Sequence, residues 1–364
     1  MSANSWLATG NFHTDYKQEQ KIFFTSLDRA VFTFFLLILF TWPMLFSLSN
    51  KSMLLVDNIL IAIVAVMGLN LVTGFAGLIS IGHAAFVGIG AYTIASFSQV
   101  IGDSHVFITH FWPVLIIISG LVGAVFGAIV GLPALRLKHL YLAIATLSFQ
   151  MIFEWTIQFL TFFNQGQTIF VGRVYWFTGK VLRKEHYLFW YYVIMVVVVL
   201  LGFAVKNLLK TRYGRALIAV KDNDRAADAM GMNPGLTKVY AFALSGFFAG
   251  VAGALHAYLY RGVGFESFTL HESISYLAMA IVGGLGILNG SFWGPVAIKY
   301  LELQVEHLAE IAGNFLPSSM NLATALKPLT FGLVIVLFLM FEPRGIANWW
   351  RIAKSYTKLW PFRY

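Results

Sequence analysis

Stretches of about 20 residues with almost no charge recur along this chain. A helix needs roughly 20 apolar residues to cross the hydrocarbon core of a bilayer. About ten segments qualify: Ala30–Leu48, Leu54–Val72, Phe75–Phe97, Trp112–Pro133, Tyr141–Phe163, Tyr187–Val205, Val239–Tyr260, Ser273–Leu288, Gly294–Ile311 and Asn321–Phe341. The 364 residues are 59% hydrophobic and 11% charged, whereas a soluble domain carries about 25% charged residues. A soluble fold of this composition would expose an adhesive apolar surface. The expected fold class is all-α, a polytopic membrane protein of about ten transmembrane helices. The third, eighth and ninth segments are interrupted by glycine or carry charge, so their ends are the least defined.

Topology follows from lysine and arginine, which gather on the cytoplasmic side. An inside N-terminus and ten spans place Lys17, Lys21, Arg29, Arg136, Lys138, the basic residues of 206–238, and Arg344, Arg351, Lys354, Lys358 and Arg363 inside, most of the 25 basic residues. Both termini are therefore expected in the cytoplasm. The polar N-terminus lacks the tripartite pattern of a signal peptide, so the first apolar run reads as a retained span. The exceptions, Arg173, Lys180, Arg183 and Lys184, fall in the outer loop 164–186, which reads as a small folded cap. The expected organisation is a cytoplasmic segment 1–29, a transmembrane domain 30–343 with an inner loop at 206–238, and a basic, aromatic tail 344–364. With Trp349, Trp350, Trp360 and Tyr364 among basic residues, the tail reads as an interfacial anchor or as a frayed end.

Glycine marks the candidate functional regions. Gly120, Gly123, Gly127 and Gly131 fall on one helical face, as do Gly246, Gly250 and Gly253; small residues at this spacing let backbones approach closely. The stretch Gly68–Gly90 (GLNLVTGFAGLISIGHAAFVGIG) is too glycine-dense for a regular helix. Broken helices at membrane depth line cavities or are buried in protein. Asn70, Thr73, Gly74, Gly77, Ser80 and His83 are therefore candidates for lining a substrate pathway, with His83 alternatively a buried interhelical hydrogen bond. A second stretch, Gly283–Gly294 (GGLGILNGSFWG), adds Gly284, Gly286 and Asn289. An odd number of spans separates the two stretches, which suggests an inverted repeat with breaks on both sides of a central site.

Lys299, Glu302, Glu306 and Glu310 share one face of the ninth span. They read either as intramembrane function or as a structural Lys299–Glu302 pair with two carboxylates beyond the membrane. Glu154 is similarly open. In the inner loop, YGRALIAVKDNDRAADAMGMNP (213–234) has a start signal at Asn223 or Asp224, helix formers at 226–229, a stop at Gly231 and a proline at 234. It predicts a short, capped, amphipathic helix between two spans, a lever for a partner or a solvated connector.

The chain has no cysteine, which excludes disulfides and thiolate chemistry. It has no G-x-x-x-x-G-K-[ST], H-E-x-x-H or G-x-S-x-G. No enzyme activity and no bound cofactor are expected. Active transport would draw its energy from a partner subunit or an ion gradient. The net charge of +9 lies on loops and tail, and no nucleic-acid partner is expected.

Three blocks then carry a resemblance: GLNLVTGFAGLISIGHAAFVGIGAY (68–92), GRALIAVKDNDRAADAMGMNP (214–234), and SGFFAGVAGAL (245–255) with AIVGGLGILNGSFWGP (280–295). Together they resemble the permease subunits of branched-chain amino acid ABC importers, LivM-type, over roughly 54–345. The resemblance implies a multi-pass protein of the bacterial inner membrane with a type II importer-like fold. It implies a related second permease (LivH-like), two cytoplasmic ATPase subunits that hold ATP and magnesium, and an extracytoplasmic substrate-binding protein. Coupling contacts to the ATPases map onto Lys221, Asp222, Asn223, Asp224, Ala226, Ala227, Met230 and Gly231, and the mechanism implied is alternating access. The chain departs from the family at 160–177, where Gln165 and Gln167 replace a glycine-rich segment. Urea, short amides or small aromatic acids thus stand beside branched-chain amino acids as cargo. Two readings of other classes are a proton-coupled secondary transporter using Glu154, His83 or the ninth-span carboxylates, and a non-transporting scaffold.

Overall fold

The computed structural model describes residues 26–45, 50–101, 111–137, 140–160, 166–172, 175–176, 179–180, 186–313, scattered positions between 329 and 342, and 344–359. The segment 1–25, most of the tenth expected span, and Gln165, Arg173, Arg183, Lys184, Trp360 and Tyr364 lie outside the described residues. The apolar segments fold as helices: α1 (Ser26–Leu45), α2 (Asn50–Asn70), α3 (His83–Ile101), α4 (Trp112–Gly131), α5 (Leu140–Phe159), α6 (His186–Lys210), α9 (Pro234–Tyr260), α10 (Leu270–Gly283) and α11 (Gly290–Gly313). Two short helices, α7 (Arg212–Asp222) and α8 (Asp224–Ala229), join α6 to α9, and α12 (Ile346–Leu359) follows the last described apolar residues. Among the described residues, five helical stretches are long and apolar enough to cross a membrane: Asn50–Phe75, Trp112–Leu135, Leu140–Phe159, Tyr187–Lys210 and Pro234–Tyr260. The molecule is a multi-pass membrane protein.

The long helix α9 is the central post, packed against α2, α3 and α4. Its glycines permit this. A Cβ on Gly246 would overlap the Gly123 carbonyl of α4, one on Gly250 would meet the Ser119 carbonyl, and one on Gly253 would overlap the Val87 carbonyl of α3. Lipid tails are as apolar as leucine, so close backbone packing replaces the hydrophobic effect as the attraction between helices. The side of α4 away from α9 carries Ile117, Leu121, Val125 and Ile129, all more than half exposed. Hydrocarbon is the solvent that suits such a face.

Two boundaries differ most from the expected spans. The third expected span starts at Phe75, but Leu71–Phe75 is a π-helical turn that ends α2, residues 76–82 are irregular, and α3 starts at His83. The eighth, expected over Ser273–Leu288, is only the 14-residue α10, about 21 Å at 1.5 Å per residue. It stops at Gly283 because Gly284 and Gly286 take φ of 118° and 74°, which no helix accommodates. The two glycine-rich stretches, 71–82 before α3 and 284–289 after α10, meet at one end of the bundle.

The loop expected as a folded cap contributes short strands. β1 (Ile169–Phe170) pairs antiparallel with β4 (Gly262–Val263), and β2 (Tyr175–Trp176) pairs with β3 (Gly179–Lys180).

Candidate functional site

Helix α8 is built as the sequence indicates. Asn223 leaves helical geometry, and its side chain accepts hydrogen bonds from the N–H groups of Arg225 (3.0 Å) and Ala226 (3.2 Å), capping the first turn. Gly231 ends it with φ 81°. Asn233 caps α9 through the Leu236 N–H, 3.0 Å away. Asp224 pairs with Lys238 at 2.5 Å, fixing α8 against the first turns of α9. Only Ala227 of α8 is buried; Arg225, Ala226, Asp228 and Met230 are exposed, and Met230 is 80% exposed. Helix α7, in a stretch that reads as inner loop from sequence alone, precedes it. Thr211 caps α7, and Gly214, Leu217 and Val220 form its buried stripe. The two helices make a rigid elbow, and a hollow of about 290 Å³ between α8, the start of α9 and the turn after α4 is lined by Asp224, Arg225, Asp228 and Lys238.

The elbow is tied directly to the glycine breaks. In the π-helical turn the hydrogen bonds run Ala76 N–H to Leu71 O and Leu78 N–H to Val72 O, and Gly74 O is taken up by a side chain. Lys221, in the last turn of α7, donates from Nζ to that oxygen at 2.7 Å. Its aliphatic stem lies over Gly77, whose φ of 69° and proximity (a Cβ would stand 2.9 Å from Lys221 Cγ) leave room only for glycine. The same ammonium stands 3.3 Å from where a Cβ of Gly286 would be.

Asn70 closes the arrangement. Its Nδ2 donates to Ile287 O (3.0 Å) and to Ser291 Oγ (2.9 Å), and its Oδ1 accepts from Gly286 N–H at 2.8 Å. The end of α2, the α10–α11 turn and the tip of α7 therefore share one polar junction. Hydrogen bonds to charged groups contribute about 1.5–3 kcal/mol; Lys221 is exposed overall, so its bond belongs near the bottom of that range.

Of the candidate pathway residues, Asn70, Gly74, Gly77 and Gly286 belong to this junction. Gly284 faces the other way, against the Arg344 carbonyl. Asn289 is exposed, and its carbonyl accepts from Phe292 and Trp293 to start α11. Thr73 donates back to Leu69 O at 2.7 Å, a local helical bond. Ser80 is buried, with no hydrogen-bond partner for its hydroxyl among the described residues. His83 is fully buried and bonded through Nε2 to Ala65 O at 2.8 Å. A carbonyl can only accept, so Nε2 carries the proton, and of the two readings for His83 the interhelical bond is the one formed.

The irregular segment before α3 is held by residues that pattern reading did not link to it. Thr146 Oγ1 accepts from Ile81 N–H (3.0 Å), and Gln150 Oε1 accepts from Ala85 N–H (2.8 Å). Ser273 Oγ donates to Ile81 O. Glu154 accepts from Leu270 N–H (2.6 Å) and Gln150 Nε2 (3.0 Å), terminating α10 at its N-terminus. Lys299 pairs with Glu302 at 2.9 Å; the side chains of Glu306 and Glu310 lie outside the described residues. A larger cavity, about 520 Å³, lies between the far half of α3 and helices α4 and α5, lined by Ile89, Tyr92, Thr93, Phe126, Phe149 and Phe153. It is apolar and separate from the junction.

A family model described as a branched-chain amino acid transport system / permease component matches residues 51–340. The chain is 30% identical over 351 residues to the high-affinity branched-chain amino acid transport system permease protein LivM of Salmonella typhimurium, covering 90% of this chain and 75% of that one. The LivM protein of Escherichia coli K12 matches with the same identity and coverage. A probable branched-chain amino acid transport permease protein LivH of Methanocaldococcus jannaschii is 30% identical over 152 residues, 42% of this chain and 44% of that one. No solved structure matches the chain.

Proposed function

Because the chain belongs to the family of permease components of branched-chain amino acid transport systems, we propose that it forms half of a translocation pathway for branched-chain or related amino acids. It is a transport subunit of an ABC importer and not an enzyme. In this reading ten spans cross the bacterial inner membrane, the tenth over 321–341, with both termini cytoplasmic. The domain is 30–343, its coupling loop is 206–238, and 1–29 and 344–364 flank it. A LivH-like permease completes the pathway, two ATPase subunits supply ATP and magnesium chemistry, and an external binding protein delivers cargo.

The observation that carries this reading is the bond from Lys221 to Gly74 O. A coupling element has to do two things: meet a partner and move a gate. The exposed α8, with Asn223, Asp224, Ala226, Met230 and Gly231, and the charged hollow beside it suit the first task. Lys221 suits the second, because it reaches a backbone break instead of a regular helix. Where a turn is irregular, one added bond is a large share of its local hydrogen bonding. Displacement of the elbow, with Asp222, Ala227 and Lys221 at its bend, would pull Gly74 and, through Asn70, the α10–α11 turn. That gives alternating access a short mechanical route past Thr73, Gly77, Ser80, His83, Gly284, Gly286 and Asn289, the proposed pathway region.

A proton-coupled carrier is the weaker reading. Glu154 already accepts two N–H bonds, His83 is bonded to Ala65 O, and Lys299 holds Glu302. None of these is poised as an open relay. The test is reconstitution in liposomes with and without the ATPase subunits. Uptake of a branched-chain amino acid is expected only with ATPases and ATP; uptake that persists without them and follows a proton gradient would overturn the proposal.

A further inference from the structure

Helix α9 starts at the elbow and ends at Tyr260, and at that far end ionisable side chains from three helices converge. Helices α10 and α11 run antiparallel from their turn. A Cβ on Gly283 would meet the Gly290 carbonyl, and one on Gly294 would meet the Met279 carbonyl. Followed outward in the same register, Glu272 of α10 comes level with Glu302 of α11, about 17 Å along the helices from the turn at 1.5 Å per residue. Lys299 Nζ donates to the two Glu302 carboxylate oxygens at 3.2 and 2.9 Å, and Glu272 stands within electrostatic reach of the same ammonium. Glu272 is half-buried and makes no hydrogen bond or ion pair among the described residues. Tyr260 of α9 is 45% exposed. Its ring packs on His256 with centroids 4.5 Å apart, and its oxygen accepts from Asn58 Nδ2 at 2.6 Å. That bond occupies a lone pair, so the hydroxyl proton remains to be donated. Tyr260 also lies within electrostatic reach of Lys299 and Glu272. Ionisable groups in a membrane span are costly and mark a functional path or a partner. The Lys299 and Glu302 side chains each keep 19% exposure, so the group is not sealed.

We propose that Glu272, Tyr260 and Lys299 form an outer binding site for a zwitterionic α-amino acid. The cargo ammonium sits on the Glu272 carboxylate, the one carboxylate in excess here, since Lys299 neutralises Glu302. The cargo carboxylate takes the Tyr260 hydroxyl and the N–H of Lys299 that Glu302 leaves over, because an ammonium has three donors and Glu302 receives two at most. Both contacts are charge-assisted and therefore stronger than neutral ones. The site lies at the end of the bundle opposite the glycine breaks, where cargo arriving from outside meets it before the junction. It rests on the reading of the chain as an amino acid importer's permease and gives that reading a recognition chemistry. Urea and short amides carry neither charge, and polar groups left unpaired by such a cargo select against it.

The test is ligand binding to the assembled transporter in nanodiscs, read by saturation-transfer NMR with three probes. These are leucine, isoamylamine (leucine without its carboxylate) and isocaproate (leucine without its ammonium). Leucine is expected to bind about tenfold more tightly than either, the effect of one charge-assisted bond. Glu272→Gln should weaken leucine and isoamylamine about tenfold without weakening isocaproate. Tyr260→Phe should weaken leucine and isocaproate without weakening the amine. Equal weakening of all three probes, no weakening of leucine by Glu272→Gln, or leucine binding no tighter than the two analogues would overturn the site and leave a structural charge network. ATP-driven leucine uptake by the unsubstituted transporter is measured separately. Its absence would count against the importer reading alone, because the binding series decides the site.

Discussion

Glycine serves two opposite purposes in this molecule. Along α3, α4 and α9, Gly123, Gly246, Gly250 and Gly253 keep ordinary helical geometry and delete side chains so that backbones touch. At the two breaks, Gly77, Gly284 and Gly286 adopt positive φ, and Asn70 and Lys221 hold the opened backbone by hydrogen bonds. The first region resists deformation because any shift drives backbone into backbone. The second is held by polar bonds that reach across the bundle, one from Lys221 to Gly74 O and three from Asn70 to the α10–α11 turn and the start of α11, and such bonds can be exchanged. A transporter needs both a post that stays and a hinge that moves; in the proposed mechanism α9 is the post and the two breaks are the hinge.

The largest expected effect lies in the post. Gly253→Leu places a side chain inside the Val87 backbone; overpacking costs about 1–3 kcal/mol when neighbours can shift, and here only backbone faces it. The expected outcome is loss of folded protein, read as aggregation in size-exclusion chromatography. A folded variant with normal melting temperature would mean that the helices separate without cost. Next comes Asn70→Leu, which deletes all three junction bonds and leaves Gly286 N–H without its acceptor. Each unsatisfied buried group costs about 1–3 kcal/mol, so a lowered melting temperature with retained fold is expected, together with loss of uptake.

Gly231→Val is smaller. Nothing lies within 4 Å of the added Cβ, and the cost is the left-handed backbone alone, about 1–2 kcal/mol. Transport should fall more than stability. Unchanged ATPase docking and uptake would remove Gly231 from the lever. Smallest in stability is Lys221→Met, which removes one hydrogen bond of about 1.5 kcal/mol and leaves no buried charge behind; the melting temperature is expected to fall by only a few degrees.

The post was legible in sequence because glycine spacing and apolar length are local patterns. Gly120–Gly131 and Gly246–Gly253 show their face within one helix. The start of α8 was legible too, since Asn223 caps groups two and three residues away. The junction was not. Lys221 and Gly74 are 147 residues apart, and Asn70 and Gly286 are 216 apart, so nothing local pairs them. Asn70 stood out as a polar residue among glycines, but its partners did not. The eighth span reads too long in sequence because Leu285, Ile287 and Leu288 continue the apolar run through a turn set by Gly284 and Gly286. Helix α7 is hidden in sequence because its amphipathic GRALIAVKD stretch lies inside a polar loop.

The central claim is that the elbow moves the breaks through Lys221. Its most direct measurement is ATP-driven uptake and ATP hydrolysis side by side in liposomes holding the assembled transporter, with Lys221→Met compared against the unsubstituted chain. Loss of one charge-assisted bond of about 1.5 kcal/mol predicts uptake per ATP reduced by about tenfold, with hydrolysis retained. Uptake per ATP that stays unchanged in Lys221→Met would contradict the account.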